Sequence, residues 1–153
     1  MPNPIPRHPL ILCASLVQNP MNLGALCRTA EVLGLAQLVL PNLDVVENWQ
    51  FRQLAASAHH WQPLTACPPD QLPQWLEQQR ADGVACWALT AHPQGQPLPT
   101  FTFPQRTVLI LGRELTGIPP EVLDRCEGAI WIPQLGRVNS LNVHTAGAIA
   151  AYS

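Results

Sequence analysis

The chain has 153 residues, enough for one domain with a buried core and too few for two of ordinary size. Eight basic side chains against ten acidic ones give a formal net charge of -2; this excludes a globally basic nucleic-acid binder, so any RNA contact must use a local patch. Hydrophobic residues make up 47% and charged ones 12%, a balance that predicts some surface covered in an oligomer, with a homodimer the default.

Residues 1–9 form a proline-rich tail without the apolar stretch of a signal peptide. A first strand is expected over 10–16, "LILCASL", followed by the loop "VQNPMNLG" and a helix over 22–34. A second strand falls at 36–41 and a second helix near 49–58. His59 and His60 sit in a polar connection beside Trp61, without metal-ligand spacing. The pattern over 69–83 predicts a third helix, with Asp70 as N-cap and Gly83 at its end. Strands follow at 84–90, 106–112 and 128–133. The segment 91–105 reads as a loop with a short extended piece, a fourth helix is expected over 119–126, and "SLNVHTAGAIAAY" closes the chain as a fifth. The strand runs are near-continuously apolar, as in strands buried on both faces. Their alternation with helices predicts an α/β fold, a mostly parallel sheet with helices on both faces. No apolar run approaches a membrane span. The five cysteines, scattered and never spaced C-x-x-C, read as core thiols of a reducing compartment. The expectation is a single-domain cytoplasmic protein over 1–153, with no metal and no membrane association.

In parallel sheets ligands bind beyond the carboxyl ends of strands, which directs attention to the loops after the strands. In "NPMNLGALCRTAEVLG", Asn22 could be an N-cap, Gly24 a packing glycine and Arg28 a solvated cation. Arg28, however, has apolar neighbours and needs an anionic or hydrogen-bonding partner. In "ILGRELTGIPP", Gly112 and Gly117 bracket Glu114, and could simply make a turn. In "IPQLGRVNSLNV", Ser140 and Asn142 stand at a helix start suited to a polar or anionic ligand. The plain alternative is capping by Ser140 with His144 on an exposed helix face. A Ser140/His144 hydrolase pair lacks a third residue and a G-x-S-x-G elbow, and no G-x-G-x-x-G turn supports a dinucleotide-binding oxidoreductase.

Together the three stretches resemble the signature motifs of the SPOUT superfamily, in its SpoU/TrmH branch of RNA ribose 2'-O-methyltransferases. Asn22, Gly24 and Arg28 match the first motif, and Gly112, Glu114 and Gly117 the second. Ile132, Pro133, Gly136, Ser140, Leu141, Asn142 and Val143 match the third. The resemblance spans 10–152 and is nearest to the catalytic domain of eukaryotic-type tRNA guanosine 2'-O-methyltransferases. It implies a C-terminal trefoil knot that forms a pocket for S-adenosylmethionine. Leu89, Gly112, Ile132 and Leu141 would line that pocket, with Gln134, Gly136 and Ser140 beside them. It further implies catalytic roles for Arg28, Asn22, Glu114, Ser140 and Asn142, RNA contacts by Arg28, Arg113 and Arg137, and a homodimer with its sites at the interface. A guanidinium is too weakly acidic to serve as a neutral base, so Arg28 is expected to stabilise phosphate and developing oxyanion. The implied substrate is RNA, with tRNA and its D-loop guanosine favoured; ribosomal RNA, a tRNA wobble nucleotide, or a non-catalytic knotted cofactor- or RNA-binding module are the alternatives. Many relatives continue past the position of Ser153 or carry a separate RNA-binding extension, so a weaker dimer contact or RNA grip is expected here.

Overall fold

The computed structural model describes residues 6–136 and 141–153. Seven strands form one sheet: β1 (His8–Cys13), β2 (Leu35–Leu40), β3 (Leu64–Ala66), β4 (Ala85–Leu89), β5 (Gln96–Pro97), β6 (Thr107–Ile110) and β7 (Gly128–Trp131). Their order is β3-β2-β1-β6-β4-β7-β5, and every pairing between these strands is parallel. Five of them are the expected apolar runs. β5 is the extended piece foreseen within 91–105, whereas β3, three residues long, has too short a period to stand out in the sequence.

Alternate residues of the central strands feed two cores. On one face Leu12, Leu38, Leu109 and Ile130 pack with Leu26 and Phe51. On the other Cys13, Val39, Val108 and Ile110 pack with Leu72, Leu76 and Val122. Burial on both sides is the physical cause of the unbroken apolar runs. The first core is covered by α1 (Pro20–Leu33), α2 (Trp49–Ala55) and α5 (Val143–Tyr152), the second by α3 (Leu72–Ala81) and α4 (Pro120–Leu123). All five cysteines are free thiols. Burial pushes Cys13, Cys27, Cys86 and Cys126 up to about 12, and raises Cys67 as well, which leaves them as packing groups rather than nucleophiles.

The caps place the helices, and two differ from expectation. Asn19, not Asn22, caps α1: its side chain accepts from Met21 N at 2.8 Å, and Pro20 follows at the first helical position. Asp70 lies in a 3-10 turn over Pro69–Gln71 and makes no capping bond to α3. Pro73 at the start of that helix has no N–H to be capped, which lowers the need. Gly83 behaves as expected, with φ +84°. Its N–H donates to Arg80 O and that of Val84 to Gln79 O, both at 3.0 Å, the paired bonds of a Schellman ending. Gly24 has a packing role, since a Cβ there would run into the Phe51 carbonyl; α1 and α2 therefore meet backbone to backbone. No helix among the described residues is long and apolar enough to cross a membrane. The implied knot turns on the connection between β7 and α5, of which residues 137–140 lie outside the described residues.

Candidate active site

Because every strand is parallel, the loops after β1, β4, β6 and β7 gather at one edge. The loop after β6 is the most tightly specified. Arg113 and Gly117 exchange backbone hydrogen bonds at 3.0 and 3.1 Å, and Gly117 takes φ +73°. A Cβ on Gly112 would lie 2.8 Å from the Gly117 carbonyl carbon, so only glycine permits this fold-back. The hairpin presents Glu114 to the loop that enters α1.

There the carboxylate is surrounded by donors. Glu114 Oε1 accepts from Gln18 N at 3.1 Å, and Oε2 accepts from Asn19 N at 2.8 Å and Asn22 Nδ2 at 3.2 Å. Asn22 Oδ1 in turn accepts from Asn142 Nδ2 at 3.3 Å. Asn142 Oδ1 caps α5, accepting from His144 N at 2.9 Å and Thr145 N at 3.4 Å. One hydrogen-bond chain thus joins the three sequence motifs, and each amide has one defined orientation within it. Partial burial alone would raise the Glu114 carboxyl, but the N–H groups of Asn19, Gln18 and its own backbone, with the Asn22 amide, outweigh it and hold the group below its ordinary value.

Beside this chain lies a cleft made of two adjoining hollows of about 450 and 440 Å3 that share Leu89, Thr90, Leu141 and Ala146. Ile132 and Gln134 line one; Gly112, Arg113, Glu114 and Asn142 line the other. Five of the expected pocket residues, Leu89, Gly112, Ile132, Gln134 and Leu141, therefore converge. Gly136 does not: it is exposed, with open space where a Cβ would be. Ser140 and Arg137 lie outside the described residues. Thr90 and Ala146 also line the cleft, and neither carries a spacing signal in the sequence.

Arg28 is placed elsewhere. It lines an apolar groove of about 650 Å3 between α1 and α5, together with Thr29, Val32, Leu54, His144, Ile149 and Tyr152. Among the described residues its guanidinium has neither a hydrogen bond nor an ion pair. Within one chain Arg28 and Glu114 thus line different hollows. His144 departs from expectation. Rather than standing on an exposed helix face it is half-buried, with Nε2 2.9 Å from Thr29 Oγ1, and burial lowers its imidazole below the ordinary value. Among the described residues no group of three His, Cys, Asp or Glu side chains is placed to hold a metal ion.

The structure and sequence are similar to known proteins. A mouse (Mus musculus) tRNA (guanosine(18)-2'-O)-methyltransferase, TARBP1, is 41% identical over 140 residues; the match covers 92% of this chain and 9% of that protein, so the chain spans a small part of its relative's length. An AdoMet-bound rRNA methyltransferase from Sinorhizobium meliloti superposes with a TM-score of 0.78 at 27% identity, covering 94% of this chain and 53% of that one. A solved structure concerned with the 2-OH methylation of C/U34 on tRNA has a TM-score of 0.77 at 30% identity, covering 95% and 93%. The model of the SpoU rRNA Methylase family matches residues 9–152. With its three motifs joined at one cleft rim and that match running through nearly the whole sequence, the chain belongs to the SpoU rRNA methylase family.

Proposed function

We propose that this chain is the catalytic unit of an S-adenosylmethionine-dependent RNA ribose 2'-O-methyltransferase, acting on tRNA and, within it, on the D-loop guanosine. The observation that carries the reading is the hydrogen-bond chain from Glu114 through Asn22 to Asn142 at the rim of the cleft. A purely structural turn would not need two amides and a carboxylate fixed beside an open hollow.

The cleft suits a nucleoside cofactor. Its size falls within the range of about 300–1,000 Å3 common for small-molecule sites, and Leu89, Ile132 and Leu141 give it apolar walls. Backbone groups of the Gly112 and Ile132 loops would hold the adenosine part, with Gln134 beside them and Ser140 expected to complete the wall. The bound cofactor supplies an electrophilic methyl group. The chain's own residues then have to place a ribose hydroxyl and manage the proton it loses. Asn22 and Asn142, oriented by Glu114, would position the ribose, with Ser140 beside them. Arg28 would bind the adjoining phosphate and stabilise charge developing on the hydroxyl oxygen.

Because Arg28 faces the groove rather than the cleft of its own chain, it would reach a site by way of a second copy. The groove is edged by exposed apolar groups, Val32 at 75%, Ile149 at 42% and Tyr152 at 82% exposure, which favours a homodimer with sites at its interface. The distribution of cations favours RNA as partner. Arg7, Arg52, Arg80 and Arg125 are paired with Glu31, Glu47, Glu127 and Glu77, and Arg106 donates to the Asp82 carbonyl. Among the described residues Arg28 and Arg113 are left for phosphate, with Arg137 expected to join them. A cytoplasmic location accords with this chemistry. Ribosomal RNA and a tRNA wobble nucleotide are the competing substrates, given the rRNA methyltransferase and the C/U34 structure among the neighbours.

Two measurements test the reading. S-adenosylhomocysteine at about 100 times its Kd should add about 2.7 kcal/mol to stability, seen as a rise in melting temperature. Labelled methyl groups should enter unmodified tRNA in preference to rRNA, and ribose analysis should find them on the D-loop guanosine. Ligand binding without transfer to any RNA would favour the non-catalytic module, and an unmoved melting temperature would remove the cofactor assignment.

A further inference from the structure

The hairpin after β6 carries three unlike side chains in succession, Arg113, Glu114 and Leu115, and all three residues line the same hollow of the cleft. Glu114 is bound to Asn22 at 3.2 Å and through it to Asn142. Arg113 forms no ion pair among the described residues. Leu115 is 97% exposed and belongs to neither core.

A single leucine at the surface is ordinary, but this one is held there. Its backbone is fixed on one side by Glu114, whose carboxylate also accepts from Gln18 N and Asn19 N. On the other side it is fixed by the paired bonds between Arg113 and Gly117 at 3.0 and 3.1 Å. The hairpin thus presents an apolar side chain to water at a set place on the rim, and little backbone entropy is left to lose when something covers it. Leu141, 38% exposed, lines the same hollow. The groove between α1 and α5, which favours a second copy, does not include Leu115.

We propose that Leu115 is a substrate-binding residue that packs against the base of the nucleotide whose ribose is methylated. The inference rests on the RNA methyltransferase reading of the site and adds the base to it. The phosphate, sugar and base of one nucleotide call for three different surfaces: a cation, hydrogen-bonding groups and an apolar face. Arg113, the amides of Asn22 and Asn142 tied to Glu114, and Leu115 supply them side by side. A ribose seated at the amides brings its base to the rim, where contact with Leu115 removes apolar surface of both from water. An aliphatic side chain has no donor or acceptor with which to tell one base from another. Any preference for guanosine is then read away from this residue.

Methyl transfer to unmodified tRNA tests the assignment, with melting temperature and calorimetric S-adenosylhomocysteine affinity measured alongside. Leu115→Ala should raise KM for the RNA about tenfold and hold turnover at saturation within about twofold, the pattern of lost uniform binding. Because the side chain is exposed, melting temperature and cofactor-product affinity should stay at parental values. Leu115→Met, apolar and of similar volume, should recover most of the loss. Toward RNA with an abasic nucleotide at the methylated position, parent and Leu115→Ala should bind equally. An unchanged KM in Leu115→Ala, a deficit that persists on abasic RNA, or a loss confined to S-adenosylhomocysteine affinity overturns the proposal. So does a shifted monomer–dimer balance in sedimentation, which would give Leu115 to a second copy. A parent that methylates no RNA sinks the methyltransferase reading and this proposal together, whereas an active parent indifferent to Leu115 sinks the proposal alone.

Discussion

Glu114 is held by more donors than any other carboxylate among the described residues, and its charge is matched to them. Three N–H groups from the single stretch 18–22 converge on it. Glu114→Gln keeps the shape but turns an NH2 toward one of those donors, leaving it unsatisfied. The variant should therefore be less stable than the parent at neutral pH. Since the folded carboxyl titrates below its ordinary value of 4.5, the parent's advantage should be complete above that value and disappear as the pH falls through the folded one. Melting temperatures of parent and variant over an acid series check this: the two curves should converge at the acid end, and a constant gap would show that the charge plays no part.

At the scale of elements the Arg113–Gly117 hairpin decides how the β6 loop meets the cleft. Gly112→Ala would drive a methyl against the Gly117 backbone, and the loop must open to take it, at a cost of about 1–3 kcal/mol. Opening displaces Glu114 and the Gly112 wall together. S-adenosylhomocysteine affinity should fall by about tenfold or more, since each 1.4 kcal/mol is a factor of ten, and unchanged calorimetric affinity would place the cofactor away from this loop. The glycine spacing around Glu114 is visible in the sequence because backbone geometry demands a residue type there. Central strands are equally visible, since two-sided burial writes itself as continuous apolar runs such as 106–112. The caps of α1 and α5 are harder to read. "NPMN" and "SLN" each offer more than one competent side chain, and tertiary partners decide that Asn19 caps while Asn22 turns to Glu114. The His144–Thr29 bond is invisible for a similar reason: 115 residues separate its partners, and neither stands in a pattern that spacing could reveal.

Across the whole molecule, the separation of Arg28 from the Glu114 cluster becomes the decisive feature. If a second copy presents its Arg28 to the cleft, the two groups belong to different chains of one site. Arg28→Ala should then leave S-adenosylhomocysteine affinity within about a few-fold, because no cofactor wall is touched, while turnover falls by about 10²-fold or more on loss of an oxyanion-stabilising group. Glu114→Gln should be impaired for the separate reason that it misplaces Asn22 and Asn142. Mixing the two variants under conditions that exchange subunits makes the arrangement measurable. In a dimer with crossed sites, one of the two sites receives both an intact Glu114 and an intact Arg28, so a statistical mixture should recover about a quarter of parental turnover. Were Arg28 to act on the cleft of its own chain, each subunit of the mixed dimer would still carry one defect, and methyl transfer would stay at the level of the separate variants.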